Sequence, residues 1–193
     1  MRNGDFELLN EVDVLSSSLA YKNRLSVRNQ AVRVLWQVTW IFLYRPSPIQ
    51  LFGWRRALLR CFGAKVGANA HPYPRCRIWA PWNLTMGTDS CLANDVDCYS
   101  VDKVTLGQSA IVSQQAMLCT ATHDYNDPEF TLVTKPISIG AHAWIGARAF
   151  VGPGVAVGDG AVVGAASAVF QSVESWTVVG GNPARILKKR LIK

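Results

Sequence analysis

The chain has 193 residues and a formal net charge of +7, long enough for one substantial domain with flanking elements. The charge is uneven: 10 Lys/Arg against 4 Asp/Glu in residues 1–65, 5 against 9 in 66–184, and 5 against none in 185–193. A mildly acidic main body excludes a basic nucleic-acid groove along it, and five cysteines at 61, 76, 91, 98 and 119, an odd count with no CxxC pair, exclude a metal site and fit a reducing compartment.

After a polar start, residues 28–45 read as a helix that ends where Pro46 and Pro48 disfavour continuation. A second helix is expected over residues 49–61, stopping near Gly63. Their apolar faces suit a cap on the open end of whatever follows, or a contact between subunits. Residues 31–44 are too few, and carry Arg33 and Gln37, for a span that needs about 20 apolar residues. Trp36, Trp40, Phe42, Tyr44 and Trp54 beside Arg45, Arg55, Arg56 and Arg60 also suit a peripheral contact with an anionic membrane. No signal peptide is expected, and the chain reads as cytoplasmic, at most peripheral to the inner face of the cell membrane.

From residue 66 onward a six-residue comb takes over. Ile139, Ile145, Val151, Val157, Val163 and Val169 recur every sixth position, the first five each followed by Gly. That period fits neither helix nor simple strand alternation and predicts an all-β solenoid, a left-handed parallel β-helix with three six-residue faces per coil. Each aliphatic residue points inward, and the Gly tolerates close backbone approach at the corner. Upstream, Leu106, Val112 and Leu118 keep the step, while Leu84, Met86, Leu92, Cys98 and Val104 keep it with two-residue slips read as corner insertions. Val66, Pro72 and Ile78 begin the solenoid, which holds about five coils over residues 66–174. The organisation expected is a helical segment at 1–65, the β-helix at 66–179 and a basic tail at 180–193 that includes a short C-terminal helix.

The comb lapses once, in TATHDYNDPEFTLVTKP at residues 120–136. An insertion on a regular repeat marks the functional face, and His123 in it has the chemistry of a general base near neutral pH. Asp124 is placed to orient His123 or touch an acceptor, unless a backbone carbonyl orients the ring. Asn94 and Asp95 form a second polar interruption and are acceptor-binding candidates, with polar corner residues as the alternative. His142 and His71 have weaker claims, and Cys119 fills a small-residue place rather than that of a nucleophile. Trp144 projects outward beside the inward Ile145, where it can pack a pantetheine arm or a neighbouring subunit. Gly146, Ala147, Gly164 and Ala165 allow a ligand close to the backbone, or simply serve the coil. In the ending GGNPARILKKR, Arg185, Lys188, Lys189 and Arg190 suit phosphate groups, or are the solvated face of a terminal helix.

These stretches resemble the hexapeptide-repeat acyltransferases, and among them the colanic acid biosynthesis acetyltransferases of the serine, maltose and galactoside acetyltransferase group. The resemblance runs through LFGWRRALLRCFGAKVG at 51–67, IWAPWNLTMG at 78–87, LCTATHDYNDPEF at 118–130 and VVGGNPARILKKR at 178–190. It implies transfer of acetyl from acetyl-CoA to a hydroxyl of a sugar or lipid-linked glycan in exopolysaccharide biosynthesis. The family's catalytic histidine maps to His123, its cofactor-side tryptophan to Trp144 and its basic end to Arg185 and Lys188. Its acceptor-binding asparagine does not map cleanly, leaving Asn94 and Asp95 together. Family members are usually homotrimers with sites between neighbouring solenoids. A different small hydroxyl or amine acceptor, or a noncatalytic assembly module, are the alternatives.

Overall fold

The computed structural model describes residues 27–192; what is expected of residues 1–26 and of Lys193 lies outside them. Helix α1 (Val27–Thr39) passes into a π-helical turn, Trp40–Tyr44, closed by the Arg45 amide on the Trp40 carbonyl at 2.8 Å. Helix α2 (Phe52–Cys61) follows, starting three residues later than expected because Arg55 folds the preceding turn onto itself. Its guanidinium is buried and donates to the carbonyls of Pro48 and Ile49, the Ser47 hydroxyl and, across the junction, the Pro72 carbonyl. Burial pushes its pKa below the ordinary arginine range.

The helices cap the solenoid. Trp36, Tyr44 and Leu59 are buried against the core, and the indoles of Trp36 and Trp40 donate to the carbonyls of Ile78 and Cys76 at 2.7 and 2.9 Å. Arg56 and Arg60 reach the carbonyls of Ala70 and Val66 in the same first coil. These donors meet carbonyl groups of the first coil, which no earlier coil covers.

A three-faced parallel β-helix follows. Its first face stacks Lys65–Val66, Leu84–Met86, Val104–Leu106, Ile137–Ile139 and Ala156–Val157. The second stacks His71–Pro72, Cys91–Leu92, Ile111–Val112, Trp144–Ile145, Val162–Val163 and Thr177–Gly181. The third stacks Arg77–Ile78, Asp97–Tyr99, Met117–Cys119, Phe150–Val151 and Ala168–Val169. The comb residues form the core, with Leu92, Cys98, Val112, Leu118, Ile145, Val151 and Val163 wholly buried.

The slips have a simple cause. In the first three coils the partners Val66, Met86 and Leu106 stand twenty residues apart, against eighteen between Ile139 and Val157. The two extra residues enter at the corner before the first face, where Leu84, Val104 and Ile137 add a second inward side chain to three-residue strands. Glycine after the first face answers to packing: a Cβ on Gly107 would stand 2.6 Å from the Ala141 amide nitrogen of the next coil. The left-handed corner positions fall instead to other residues, among them Asp95 (φ 61°), His142 (φ 56°) and Ala166 (φ 53°).

The expected C-terminal helix is a strand. Ala184–Lys189 turns back and pairs antiparallel with Thr177–Gly181, Lys188 opposite Val178 and Arg185 opposite Gly180. The last coil leaves a row of unpaired backbone groups at its edge, and the six returning residues satisfy it, which overrides their helix-forming composition.

Candidate active site

The loop at 120–136 leaves the solenoid at the corner between the third and first faces and is itself a hairpin, Ala121–His123 pairing antiparallel with Leu132–Thr134. Its base is fixed by buried Thr120, whose hydroxyl donates to the Tyr99 carbonyl at 2.8 Å and accepts from the Asp102 amide at 2.9 Å. His123, three residues on, is half-buried, and its ring stacks on Phe130 with centroids 4.7 Å apart. The Nδ1 atom lies 2.6 Å from the Phe130 carbonyl oxygen. A carbonyl can only accept, so Nδ1 carries a proton, and in the neutral ring Nε2 keeps its lone pair. That tautomer is the one a general base needs.

Asp124 does not orient the ring: its Oδ1 accepts from the Asn126 amide at 3.0 Å, within its own turn. The orienting group is the Phe130 carbonyl, held by a residue in the left-handed region (φ 49°) whose amide donates to the Asp127 carbonyl.

A second set of candidates lies on the second face. Trp144 is 47% exposed, and its indole donates to the Ser113 hydroxyl at 2.8 Å. Pairing carries an outward row from Trp144 through Val162 and Val178 to Lys188, three strand spacings or about 14 Å. Four of the tail's five cations lie among the described residues, and they separate along this hairpin. Lys189 is held by Glu174 and Thr177, at 3.0 and 2.9 Å, and Arg190 by the carbonyls of His142 and Gly160. Lys188 has no such partner among the described residues, and Arg185 reaches only its neighbouring Ala184 carbonyl. Arg185 lines a pocket of about 750 Å³ at the end of the solenoid, with Phe170, Ser172, Val173 and Pro183.

Three comparisons place this geometry. Residues 136–171 match the family described as the hexapeptide repeat of succinyl-transferase. The provisionally named colanic acid biosynthesis acetyltransferase WcaF of Escherichia coli K12 is 41% identical over 162 residues, 83% of this chain and 89% of that protein. The chain belongs to the hexapeptide-repeat acyltransferases. A maltose O-acetyltransferase from Clostridium difficile 630 superposes with a TM-score of 0.79 at 25% identity, over 86% of this chain and 90% of that one. A galactoside acetyltransferase in complex with coenzyme A shares the fold, with a TM-score of 0.71 at 24% identity over 86% and 84% of the two chains.

For a hexapeptide-repeat acyltransferase the candidates fall on two sides of one triangle. His123 stands at the corner opposite the second face, and Trp144, Lys188 and Arg185 lie on that face or at its end. Asn94 and Asp95 sit at the corner between the second and third faces, away from His123. There Asn94 Oδ1 accepts from the Arg75 amide, and Asp95 pairs with the Arg75 guanidinium at 2.7 Å. Gly146 is buried, its amide donates to the Val163 carbonyl at 2.8 Å, and a Cβ there would stand 2.6 Å from the Ala165 amide. Its smallness therefore serves the next coil, while Ala165 is exposed at the corner and Ala147 half-buried beside it.

Two contributors carried no signal among the sequence candidates. Phe130 acts through its backbone, which no residue type announces, and Ser113 acts through a stacking register that only the folded coil reveals. Asp97 is a third residue of interest, half-buried on the outer side of the third face, where burial raises its carboxyl pKa and Arg77 partly offsets this.

Proposed function

We propose that this protein is an acetyl-CoA-dependent O-acetyltransferase acting on a sugar hydroxyl in exopolysaccharide biosynthesis, with His123 as general base. The observation that carries this is the Nδ1 to Phe130 carbonyl bond, which commits Nε2 to accepting a proton at the one lapse in the comb. Nε2 takes the acceptor proton as the hydroxyl attacks the acetyl carbonyl, and backbone amides steady the oxyanion until coenzyme A leaves as its thiol. No acyl-enzyme is needed, and Cys119 is buried with its thiol on the Ala121 carbonyl.

Trp144 packs the pantetheine arm and Lys188 and Arg185 meet the phosphates of the cofactor, with Ala147, Ala165 and Gly146 forming the small corner beside it. Asp124, Asn94 and Asp95 belong to the acceptor side. A base at one corner and a cofactor row on the opposite face serve one reaction when a second copy completes the site. As the resemblance to its family implies, the assembly is a homotrimer of left-handed solenoids. The helices within residues 27–65 form the cap, 66–179 the catalytic solenoid and 180–192 the basic tail. The enzyme works in the cytoplasm, at the inner face of the cell membrane where a lipid-linked acceptor is presented. Its relation to WcaF and to a maltose O-acetyltransferase supports the acceptor class. The test is release of coenzyme A from acetyl-CoA with a panel of sugars and lipid-linked glycans. Release that no acceptor stimulates would refute the reading.

A further inference from the structure

The cap helices are apolar on both sides. Trp36, Tyr44 and Leu59 face the solenoid, yet Val34, Leu35, Val38, Ile41 and Phe42 form an exposed face along α1 and the π turn, Phe42 69% and Val34 64% exposed. The Trp54 indole, 44% exposed, donates to the Leu43 carbonyl at 2.9 Å and joins α2 to the same surface. Monomeric proteins rarely leave so continuous a patch uncovered.

Charge identifies what covers it. Between Asp13 and Asp89 the sequence holds no Asp or Glu, and residues 27–88 carry nine Lys/Arg. Arg45 is exposed beside the patch, its guanidinium 5.4 Å from the Trp40 ring, and Arg60 and Lys65 are exposed on the same end of the molecule. Against a second copy, such a surface would set cation against cation. An anionic bilayer offers both an apolar interior and the opposite charge. Among the described residues no helix is long and apolar enough to cross a membrane, so the contact is interfacial.

We infer that this face docks on anionic phospholipid, with Phe42, Leu35, Val34 and Ile41 entering the headgroup boundary and Arg45 meeting phosphate. Docking rests on the membrane-side location proposed above and not on the acetyl-transfer chemistry. It has a consequence for reach. The His123 loop leaves the third coil, two coil spacings or about 10 Å beyond the first, and a helical layer adds about 10 Å. The base would stand about 20 Å from the lipid surface. In a cyclic trimer three patches share one level along the axis, which multiplies a weak contact.

The test is sedimentation of the full chain with vesicles of phosphatidylcholine alone and with about one third phosphatidylglycerol. Expected are binding to the anionic vesicles only, weakening in high salt, and a partition coefficient at least about tenfold lower for the Leu35→Asp, Phe42→Asp double variant. Both positions are exposed, so acetyl transfer to a soluble sugar should persist and confirm folding. A docking failure with transfer intact leaves the catalytic reading standing. Absence of binding to anionic vesicles overturns the inference, as does binding that the double variant leaves unchanged. A change in oligomeric state of that variant overturns it in favour of a second copy. Binding that emerges only when Asp5, Glu7, Glu11 and Asp13 become Asn or Gln overturns it in favour of the chain's own first segment.

Discussion

His123 offers the sharpest perturbation because its two ring nitrogens have separable tasks. Nδ1 is committed to the Phe130 carbonyl at 2.6 Å, so only Nε2 is available to take a proton. General-base catalysis is worth about 10² to 10⁴ in rate, or about 3 to 5 kcal/mol of barrier at 1.36 kcal/mol per tenfold. His123→Ala removes the base and its stacking on Phe130; His123→Asn keeps a polar group but cannot accept a proton at neutral pH. Both should lower kcat at least about 100-fold. The KM for acetyl-CoA should hardly move, because Trp144 and Lys188 lie on another face. The melting temperature should hold as well, since the ring is half-buried in a hairpin outside the comb. The assay is coenzyme A release under saturating acceptor, with circular dichroism on each variant. Near-normal turnover in either would refute the assignment, whereas a matching loss of stability would make the effect structural.

Arg185→Ala with Lys188→Ala should weaken acetyl-CoA binding in calorimetry more than acceptor binding, whereas Lys189→Ala, whose ammonium is held by Glu174 and Thr177, should leave cofactor affinity near wild type; equal effects would show that the tail acts only as bulk charge. Stability should also fall at alkaline pH: burial pushes Cys91 up to about 11 and Cys98 to about 12 from an ordinary 9.0. Above pH 9 the unfolded chain releases these protons first, so the native state loses ground through the window up to those values. The urea midpoint should therefore decline there, and Cys91→Ala should flatten the decline; a midpoint indifferent to pH would contradict the burial.

The comb was legible because each inward Val, Ile or Leu solves the same packing problem every six residues, and the loop was legible because it stops doing so. The coil length was partly hidden: a two-residue corner extension makes Val104 and Leu106 look like a broken register when both are inward. Asn94 and Asp95 drew attention as polar residues in an apolar pattern, and their corner geometry, with Asp95 at φ 61°, supplies a structural reason for that polarity. Ala184–Lys189 reads as helical from composition, and only the free edge of the second face, a property of the assembled sheet, turns it into a strand. The Phe130 carbonyl is invisible to sequence for the same reason: any residue supplies a carbonyl, and only the hairpin brings this one to Nδ1.

The separation of His123 from the Trp144 row makes a stringent prediction about where one site ends and the next begins. Suppose each site joins the corner of one copy to the second face of its neighbour. A trimer mixed at random from equal amounts of His123→Ala chains and Arg185→Ala, Lys188→Ala chains then holds some junctions with both contributions intact. Each junction needs one particular chain on either side, so about a quarter of them should be competent in a cyclic assembly. At acetyl-CoA concentrations too low to saturate the Arg185→Ala, Lys188→Ala chain, coexpression should accordingly restore about a quarter of the wild-type rate from two chains that are nearly inactive alone. If both halves of the site belong to one chain, no mixture can ever hold them together, and coexpression would give only the average of the two parents. Sequential capture on two different affinity tags, one on each chain, must recover assemblies that hold both chain types, so that missing activity counts against the shared site and not against mixing.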